Sequence, residues 1–376
     1  MDSQAPNSGD VAIIGAGLVG LSIAFELAER GARVHVFERG EPGKGTSWAG
    51  AGVLSPYADR AVDGALLALC RSSLSEYPAF VERVRALSSI DPFLHVDGVM
   101  HAALDAEQLE EVQSFADRLD GCGATYRWLD AREAREREPV LGDRVTGAVL
   151  VESEGRIDNR MLGVALAAAC LKLGVGVHEG VTSLRIEYDD ERVRGVRTEL
   201  GFTEATSVVN AAGAWASAVD GVPPSCVPPV FPVRGQMLAM MAPLGFIRHA
   251  LYIPGIYFVP RDDGRLLLGA TVEPNVDDAR PTAEGIHGML HKALAALPGL
   301  RALPVIETWA GLRPGTADGK PFLGPAPLAG YYLATGHYRN GILLAPATGR
   351  LLADAILGKG EDALAPFALG RDRVNV

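Results

Sequence analysis

The sequence predicts an α/β (α+β) fold in which a parallel β–α–β unit is interleaved with an antiparallel sheet. The opening residues read as strand, glycine turn, helix and strand. The middle of the chain carries β patterns, and a strand-to-helix pattern returns near the end. A length of 376 residues suits two domains rather than one.

The opening unit shows the most distinct pattern. Residues 11–14 are apolar, 18–29 have helical spacing, and 34–37 form a second apolar run that is followed by Glu38. Gly31 is placed to end the helix, because glycine is favoured just past a helix C-terminus. The three segments together predict a β–α–β unit.

The remaining elements are predicted from spacing and turn residues. Helices are expected over 64–87, 106–119, 159–172 (with Asp158 as N-cap) and 341–357. β patterns occur at 181–188, 192–198, 206–210, 231–241 and 257–272, the last folded over Asp263-Gly264. A strand pair is expected over 93–104 with Asp97-Gly98 at its turn, and residues 311–316 with 318–319 are interpreted as a rigid turn.

Charge and cysteine usage exclude several function classes. The chain has 46 acidic and 35 basic residues, and this net charge of -11 disfavours nucleic acid and anionic lipid as partners. The four cysteines (70, 122, 170 and 226) are far apart, and the histidines have no ligand spacing, so we expect no metal site and no disulfide framework. With no signal peptide and no apolar stretch of membrane-spanning length, we expect a cytoplasmic protein.

Three glycines follow the first strand and open the first helix. Gly15, Gly17 and Gly20 form Gly-x-Gly-x-x-Gly, which allows a tight turn, close approach of a pyrophosphate and close packing of the helix. The helix N-terminus offers free N–H groups to phosphates. Glu38 lies where a carboxylate can accept hydrogen bonds from ribose hydroxyls, which argues against NADP. The motif predicts a dinucleotide site but does not separate NAD from FAD.

Segments of small residues suggest where a flat ring would lie. The segment 46–52 (TSWAGAG) follows the second strand directly, and 208–215 (VVNAAGAW) runs from a strand into small residues. Backbone without large side chains can lie against a ring system. A flexible surface loop would have the same composition, but Trp48 makes that alternative less attractive.

Longer strings identify a family. They are 309–316 (WAGLRPGT) with 318–321 (DGKP), 336–349 (GHYRNGILLAPATG) and 257–261 (YFVPR). These strings resemble the D-amino-acid oxidase superfamily of flavoproteins, and within it the bacterial glycine oxidases of thiamine biosynthesis. The resemblance implies a Rossmann-like FAD-binding domain (1–90, 146–225 and 305–376) and a substrate-binding domain on an antiparallel sheet (91–145 and 226–304).

The resemblance also assigns the substrate site. Arg313 matches the residue that binds the substrate carboxylate, and a planar guanidinium suits that role because it donates two parallel hydrogen bonds. Tyr257 matches a residue that hydrogen-bonds the same carboxylate, and Arg339 matches one nearby. Ala51 matches a residue beside the flavin ring. Val272 stands where the glycine oxidase pattern has Met, which predicts a wider pocket.

The cofactor contacts follow from the same match. The residues expected to hold FAD are Gly15, Ala16, Gly17, Leu18, Val19, Gly20, Glu38, Arg39, Thr46, Ser47, Ala49, Gly50, Ala51, Gly52, Val181, Ala211, Gly213, Gly311, Arg313, His337, Arg339, Asn340, Gly341 and Ile342. The sarcosine oxidase branch attaches its flavin to a C-terminal cysteine. No cysteine follows Cys226, so FAD is expected to be non-covalent.

The implied reaction is FAD-dependent oxidative deamination of glycine and other small amino acids or amines. Hydride passes to flavin N5, the imine is hydrolysed, and dioxygen is reduced to hydrogen peroxide; no acid or base residue is assigned. The partners are a small amino-acid substrate and dioxygen, and a homo-oligomer is compatible with the sequence.

Three alternatives stay open at this point. One is a D-amino-acid or secondary-amine dehydrogenase that uses another electron acceptor. A second is an NAD-dependent dehydrogenase, and the third is a non-catalytic flavin- or NAD-binding module. The last would leave Arg313 and Tyr257 without a purpose.

Overall fold

The structure is a computed structural model that describes residues 10–58 and 64–371. Its α-helices are α1 (Leu18–Glu29), α2 (Thr46–Ala49), α3 (Gly64–Ser88), α4 (Ala106–Gly121), α5 (Ala131–Arg137), α6 (Asn159–Lys172), α7 (Ala283–Ala296) and α8 (Ala345–Ile356). No helix within the described ranges has the length and apolar character needed to cross a bilayer.

The strands fall into two large sheets and two small ones. They are β1 (Val11–Ile14), β2 (Val34–Phe37), β3 (Val53–Leu54), β4 (Val99–Ala103), β5 (Arg127–Asp130), β6 (Gly147–Val151), β7 (Gly155–Arg156), β8 (Gly176–His178), β9 (Leu184–Asp189), β10 (Arg192–Thr198), β11 (Gly201–Glu204), β12 (Ser207–Asn210), β13 (Phe231–Met241), β14 (Ala250–Ile253), β15 (Ile256–Pro260), β16 (Arg265–Gly269), β17 (Glu273–Pro274), β18 (Val305–Gly315), β19 (Phe322–Pro325) and β20 (Tyr331–Thr335).

The predicted β–α–β unit forms the centre of a six-stranded sheet. Its strand order is β19-β20-β12-β1-β2-β8, and its pairs are parallel except β19 with β20. Helix α1 packs against α6 and α8, burying Leu21 and Phe25 completely. Such apolar burial contributes about 25 cal/mol per Å² of surface removed from water. The Rossmann-like prediction is confirmed.

The second large sheet has nine strands and is mostly antiparallel. Its order is β17-β13-β16-β15-β14-β4-β6-β5, with β18 paired along β13. One row of residues in register crosses six of its strands: His101, Tyr252, Tyr257, Gly269, Met237 and Trp309. Directly opposite residues share a face of a sheet, so this row is a continuous surface.

The two sheets exchange segments along the chain. The predicted FAD-binding segments 146–225 and 305–376 each begin with a strand of the nine-stranded sheet, β6 and β18. The division into two domains at those boundaries stays a prediction.

Helices α1 and α6 have their predicted bounds, and the Asp158 side chain caps α6 as expected. The strand pair over 93–104 is wrong: β4 pairs with β6 and β14, and the Gly98 N–H donates to Glu154 O. Residues 311–315 are strand rather than turn, because β18 pairs with β13 through Gly315.

Two predicted starts were too early. Strand β9 begins at Leu184 rather than at 181. Helix α8 begins at Ala345 rather than at 341, since the four residues before it form a turn in which Leu344 N donates to Asn340 O.

Candidate functional site

Residues from both large sheets line one cavity of about 760 Å³. Of the residues predicted to bind cofactor or substrate, the following line it: Gly15, Gly17, Val19, Glu38, Arg39, Thr46, Ser47, Ala49, Gly50, Ala51, Gly52, Val181, Ala211, Gly213, Tyr257, Val272, Gly311, Arg313, His337, Arg339, Asn340, Gly341 and Ile342. Ala16, Leu18 and Gly20 lie behind this lining and shape the glycine turn. The motifs are distant in sequence and are brought together here.

The glycine turn has the close contacts that its sequence predicted. Gly15 has a φ of +104°, and a Cβ there would lie 2.5 Å from the Ala211 carbonyl oxygen. At Gly20 a Cβ would overlap the carbonyl oxygen of Gly15. A side chain at Gly15 would push the turn away from the segment after β12, and one at Gly20 would push helix α1 away from the turn, so both glycines are needed for this close packing.

Glu38 directly follows β2 and organises the turn from the other side. Its Oε2 accepts the Ala16 N–H at 2.8 Å, and its Oε1 accepts the Gly40 N–H at 2.9 Å. Each carboxylate oxygen still has a lone pair for a further donor such as a ribose hydroxyl. Beyond it, the Arg39 guanidinium lies 3.6 Å from the centre of the Trp215 ring. The Glu38 carboxylate and the Arg39 guanidinium stacked on the Trp215 ring suit the nucleoside end of a dinucleotide.

The small-residue segment 46–52 is held by side chains from several elements. Trp309 Nε1 donates to Ala49 O at 2.9 Å, and Asn159 Nδ2 donates to Ser47 O at 2.7 Å. Gly311 lies so close that a Cβ on it would be 2.5 Å from the Ala49 Cβ. The backbone of this segment therefore presents a fixed, nearly side-chain-free wall.

Arg261 is a residue whose role the sequence did not predict. Its Nη2 donates to Ala51 O at 2.8 Å and to Asn159 Oδ1 at 2.9 Å, and Asp158 lies beside it. Burial lowers its pKa to about 10. Arg261 ends the string 257–261 that contributes to the family resemblance, but only the folded chain shows that it ties β15 to the wall.

Arg313 lies on β18 with its side chain largely buried. Its Nη1 donates to the carbonyl oxygens of Thr271 (3.2 Å) and Arg234 (3.4 Å). Burial lowers the pKa of the guanidinium, and the charge of Arg339 lowers it further. Glu273, whose charge also acts on Arg313, is itself paired with Arg234. A buried cation bonded to neutral carbonyls is expected to favour an anionic ligand.

Gly235 makes room for this guanidinium, a role that no local sequence pattern indicates. It lies on β13 opposite Gly311, two residues along from the partner of Arg313. A Cβ on Gly235 would lie under 3.0 Å from three guanidinium atoms of Arg313. The sequence alone could not indicate this role, because only the register of the β13–β18 pairing places Gly235 beside Arg313.

Tyr257 lies in the row across the large sheet. Its hydroxyl is 3.3 Å from Met237 Sδ, and its ring lies 5.2 Å from that of Tyr252. Burial raises the pKa of Tyr257, so the hydroxyl keeps its proton and can donate. Thioether sulfur is a weak acceptor, and a carboxylate would compete with it for the hydroxyl proton.

The segment before α8 closes the cavity. Burial lowers the pKa of His337 to about 3, so its ring is neutral, and its Nε2 lies 3.1 Å from Thr348 Oγ1. The Arg339 guanidinium lies 5.2 Å from the centre of the Tyr338 ring. Ile342 fills the space where a Cβ on Gly50 would be. Val272 is 46% exposed and borders the cavity from the segment that follows β16.

The residues present fit FAD. A glycine turn at a helix N-terminus, a carboxylate at the end of the second strand and a side-chain-free wall are the groups that pyrophosphate, ribose and a ring system each require. All of them border the same cavity, and the buried Arg313 lies further along it. The arrangement therefore has space for a dinucleotide with an anionic substrate beside it.

Comparisons with known proteins agree with this geometry. The family model described as FAD dependent oxidoreductase (DAO) matches residues 10–355. A glycine oxidase of Geobacillus kaustophilus is 36% identical over 367 residues, which are 96% of this chain and 97% of that protein. A crystal structure of glycine oxidase from the same organism has a TM-score of 0.89 at 36% identity, covering 97% of this chain and 99% of that one. Iminodiacetate oxidase from Chelativorans sp. has a TM-score of 0.84 at 28% identity, covering 96% and 98%.

Proposed function

The chain belongs to the FAD-dependent oxidoreductase family, and from this premise we propose that it oxidises the carbon–nitrogen bond of glycine and other small amino acids or amines, with dioxygen as the electron acceptor. The observation that carries the proposal is Arg313, a buried cation in a cavity that fits FAD. The similarity to glycine oxidases over nearly the whole chain supports the same substrate class.

The protein's own residues hold the cofactor by backbone and by a few side chains. The glycine turn from Gly15 to Gly20 would receive the pyrophosphate, and Glu38 would receive the ribose. The wall around Ala51 and the turn before α8 would receive the ring. When bound, FAD would supply the electron-accepting chemistry: it would take up the hydride of the substrate's α-carbon and be reoxidised by dioxygen.

Arg313 and Tyr257 orient the substrate. The guanidinium holds the carboxylate with two parallel hydrogen bonds, and the Tyr257 hydroxyl transfers its bond from Met237 Sδ to the same carboxylate. A substrate held at its carboxylate has its α-carbon in one position and does not rotate freely. Because the substrate is already oriented before it reacts, the entropic part of the activation barrier for oxidation is lower.

Val272 and its neighbours set how large a substrate is accepted. Valine is shorter than the methionine of the glycine oxidase pattern, so the cavity has space for an added methyl group. We infer that sarcosine and small D-amino acids such as D-alanine are accepted together with glycine. L-amino acids are excluded, because their side chain would point away from this space when the α-hydrogen faces the ring.

The test is a substrate screen with peroxide detection on the purified, FAD-loaded protein. We expect a yellow protein that releases all its flavin on denaturation and produces peroxide with glycine. Arg313→Ala should keep FAD and lose about 2–5 kcal/mol of transition-state binding, the loss typical of a broken buried charge pair. Arg132→Ala, an exposed change on α5, is the matched control. Glycine-dependent flavin reduction without peroxide would point to a dehydrogenase, and wild-type kinetics in Arg313→Ala would refute the carboxylate role.

A further inference from the structure

The buried carboxyl group of Glu154 lies behind the cavity wall and contacts a side chain of that wall, Ser55. Glu154, between β6 and β7, is 0% exposed. Its Oε1 accepts the Ser55 hydroxyl at 2.6 Å and, more weakly, the Tyr57 N–H at 3.4 Å. Ser55 follows β3 and lines the cavity. The hydroxyl of Ser55 therefore connects the cavity to Glu154.

The second oxygen of this carboxyl group is unusual. Glu154 Oε2 is buried and has no hydrogen-bond partner within residues 10–58 and 64–371. A charged carboxylate there loses hydration without full compensation, so the neutral form is favoured. Burial accordingly raises the pKa of Glu154 to about 8, against hydrogen bonds from Ser55 and Tyr57 that lower it. The Glu154 carboxyl is therefore ionised near and above pH 8, and in that range it can accept a proton from an ammonium group.

Two arginines near Glu154 in the described part of the chain have other partners. Arg156, two residues on, pairs with Asp97 through Nη1, and its buried Nε has no partner there. Arg71 donates from Nε to the Tyr57 hydroxyl and from Nη2 to Cys122 O. Ser55 Oγ is thus the short, direct hydrogen-bonded connection from Glu154 toward the cavity.

Four other titratable groups of the cavity wall do not suit a proton acceptor. Burial lowers the pKa of both His101 and His337 to about 3, so neither ring takes up a proton near neutral pH. Tyr257 already carries its proton, and its pKa is raised. Glu38 accepts two backbone N–H groups at the glycine turn, on the nucleotide side.

The reaction creates a need for such an acceptor. Small amino acids in neutral water carry an ammonium group, whereas loss of the α-hydrogen with its electron pair requires the lone pair of the free amine. One proton must therefore leave the substrate inside a cavity whose nearby charges include Arg313 and Arg339.

We propose that Ser55 and Glu154 form a proton relay that receives this proton; the inference rests on the function proposed above. An ammonium N–H bond breaks as a new bond forms to Ser55 Oγ, and the original Ser55 O–H proton moves to Glu154 Oε1. Ser55 is unchanged, the Glu154 carboxylate becomes a neutral acid, and no electrons are transferred in this step. Loss of hydride from the free amine leaves an iminium ion, which water hydrolyses to the oxo-acid and ammonium without a further proton. The proton held on Glu154 balances the one that reduction of dioxygen to hydrogen peroxide consumes, and its return through Ser55 restores the carboxylate.

The test compares pH profiles of two variants with the wild type. Glu154→Gln keeps the size and an oxygen acceptor for Ser55 but takes up no proton, and Ser55→Ala breaks the connection while leaving Glu154. Glu136→Gln, an exposed change on α5, is the matched control. Each FAD-loaded protein is assayed with glycine, or with whichever amine the wild type prefers, from pH 6 to 10. Binding of glycolate, a carboxylate without an ammonium group, is followed by the flavin absorbance.

We expect kcat/KM at pH 8 to 9, where Glu154 is ionised and the substrate still carries its ammonium group, to fall at least about 100-fold in both variants, the usual range for loss of a general base. The deficit should shrink toward pH 10, because more of the substrate arrives as free amine, and glycolate affinity and FAD content should stay at the wild-type level. Variants with the wild-type pH profile would overturn the relay. So would a loss of glycolate binding equal to the loss of activity, which would mark a structural role. A wild type that oxidises no amine would instead overturn the function proposed above.

Discussion

Replacing Gly235 by alanine should weaken binding of the substrate carboxylate, while the FAD content of the protein stays unchanged. Gly235 lies in the middle of β13, and an added Cβ would lie under 3.0 Å from three atoms of the Arg313 guanidinium. The strand backbone is fixed by pairing with β18 along one edge and, along the other, with β17 before Gly235 and β16 after it. The side chain of Arg313 must therefore move, since the backbone on either side is held by the sheet.

The size of the effect follows from the bonds that a displaced guanidinium loses. A hydrogen bond to a charged group contributes about 1.5–3 kcal/mol, so losing one of the two carboxylate bonds raises KM about 10- to 100-fold. The kcat should also fall, because a carboxylate held by one bond lets the α-carbon rotate. The Gly235→Ala protein should retain its FAD, since the glycine turn and Glu38, which are proposed to hold the nucleotide end, are unchanged.

The assay is steady-state oxidation of glycine together with glycolate binding read from the flavin absorbance. Gly288→Ala on α7 is the matched control, because a Cβ there meets nothing within 4 Å. Helix propensity predicts that this control is slightly stabilising, by up to about 1 kcal/mol. Wild-type KM and glycolate affinity in Gly235→Ala would refute the placement of Arg313, and loss of FAD would refute the separation of the two sites.

Two further predictions follow from side chains at the cavity. Val272→Met should lower kcat/KM for D-alanine relative to glycine by about 3- to 10-fold, because one buried methyl is worth roughly 1 kcal/mol; competition kinetics that leave the ranking unchanged would contradict this. Glu154→Gln should raise the thermal unfolding midpoint more at pH 9 than at pH 5. The raised pKa of Glu154 means that its neutral form stabilises the fold at low pH and that this contribution is lost as pH rises through about 8. A tenfold difference in proton affinity between the folded and unfolded protein corresponds to about 1.4 kcal/mol, and equal gains at both pH values, measured by calorimetry, would exclude it.

Local patterns predicted the first part of the fold well. Helix α1 and strands β1 and β2 have their expected bounds because glycine placement and apolar spacing are properties of a short stretch. Strand pairing is different, since it depends on which distant segment lies alongside. The turn expected at Gly311 is a strand because β13, far earlier in the chain, pairs with it through Gly315.

The candidate site likewise contains residues that local sequence patterns predicted and residues that they did not predict. Residues such as Arg313 and Tyr257 occur in recognisable strings, and the fold places them in the expected cavity. Gly235 and the Ser55–Glu154 pair had no local signal, because their partners are 78 and 99 positions away in sequence. The roles of these residues depend on burial beside their partners, and burial is set by the whole fold rather than by a local sequence pattern.

The strand order of the six-stranded sheet has a consequence for how the protein is made. Strand β12 separates β1 from β20, so a nucleotide-binding sheet that starts at Val11 is completed only at Thr335. At a synthesis rate of about 5–20 residues per second, the roughly 300 residues between β2 and β20 take about 15–60 s to emerge from a ribosome. During that interval β1, β2 and α1 lack their final neighbours, and their apolar faces are open to chaperones. Loading of the cofactor therefore has to wait until the chain has been made at least through β20.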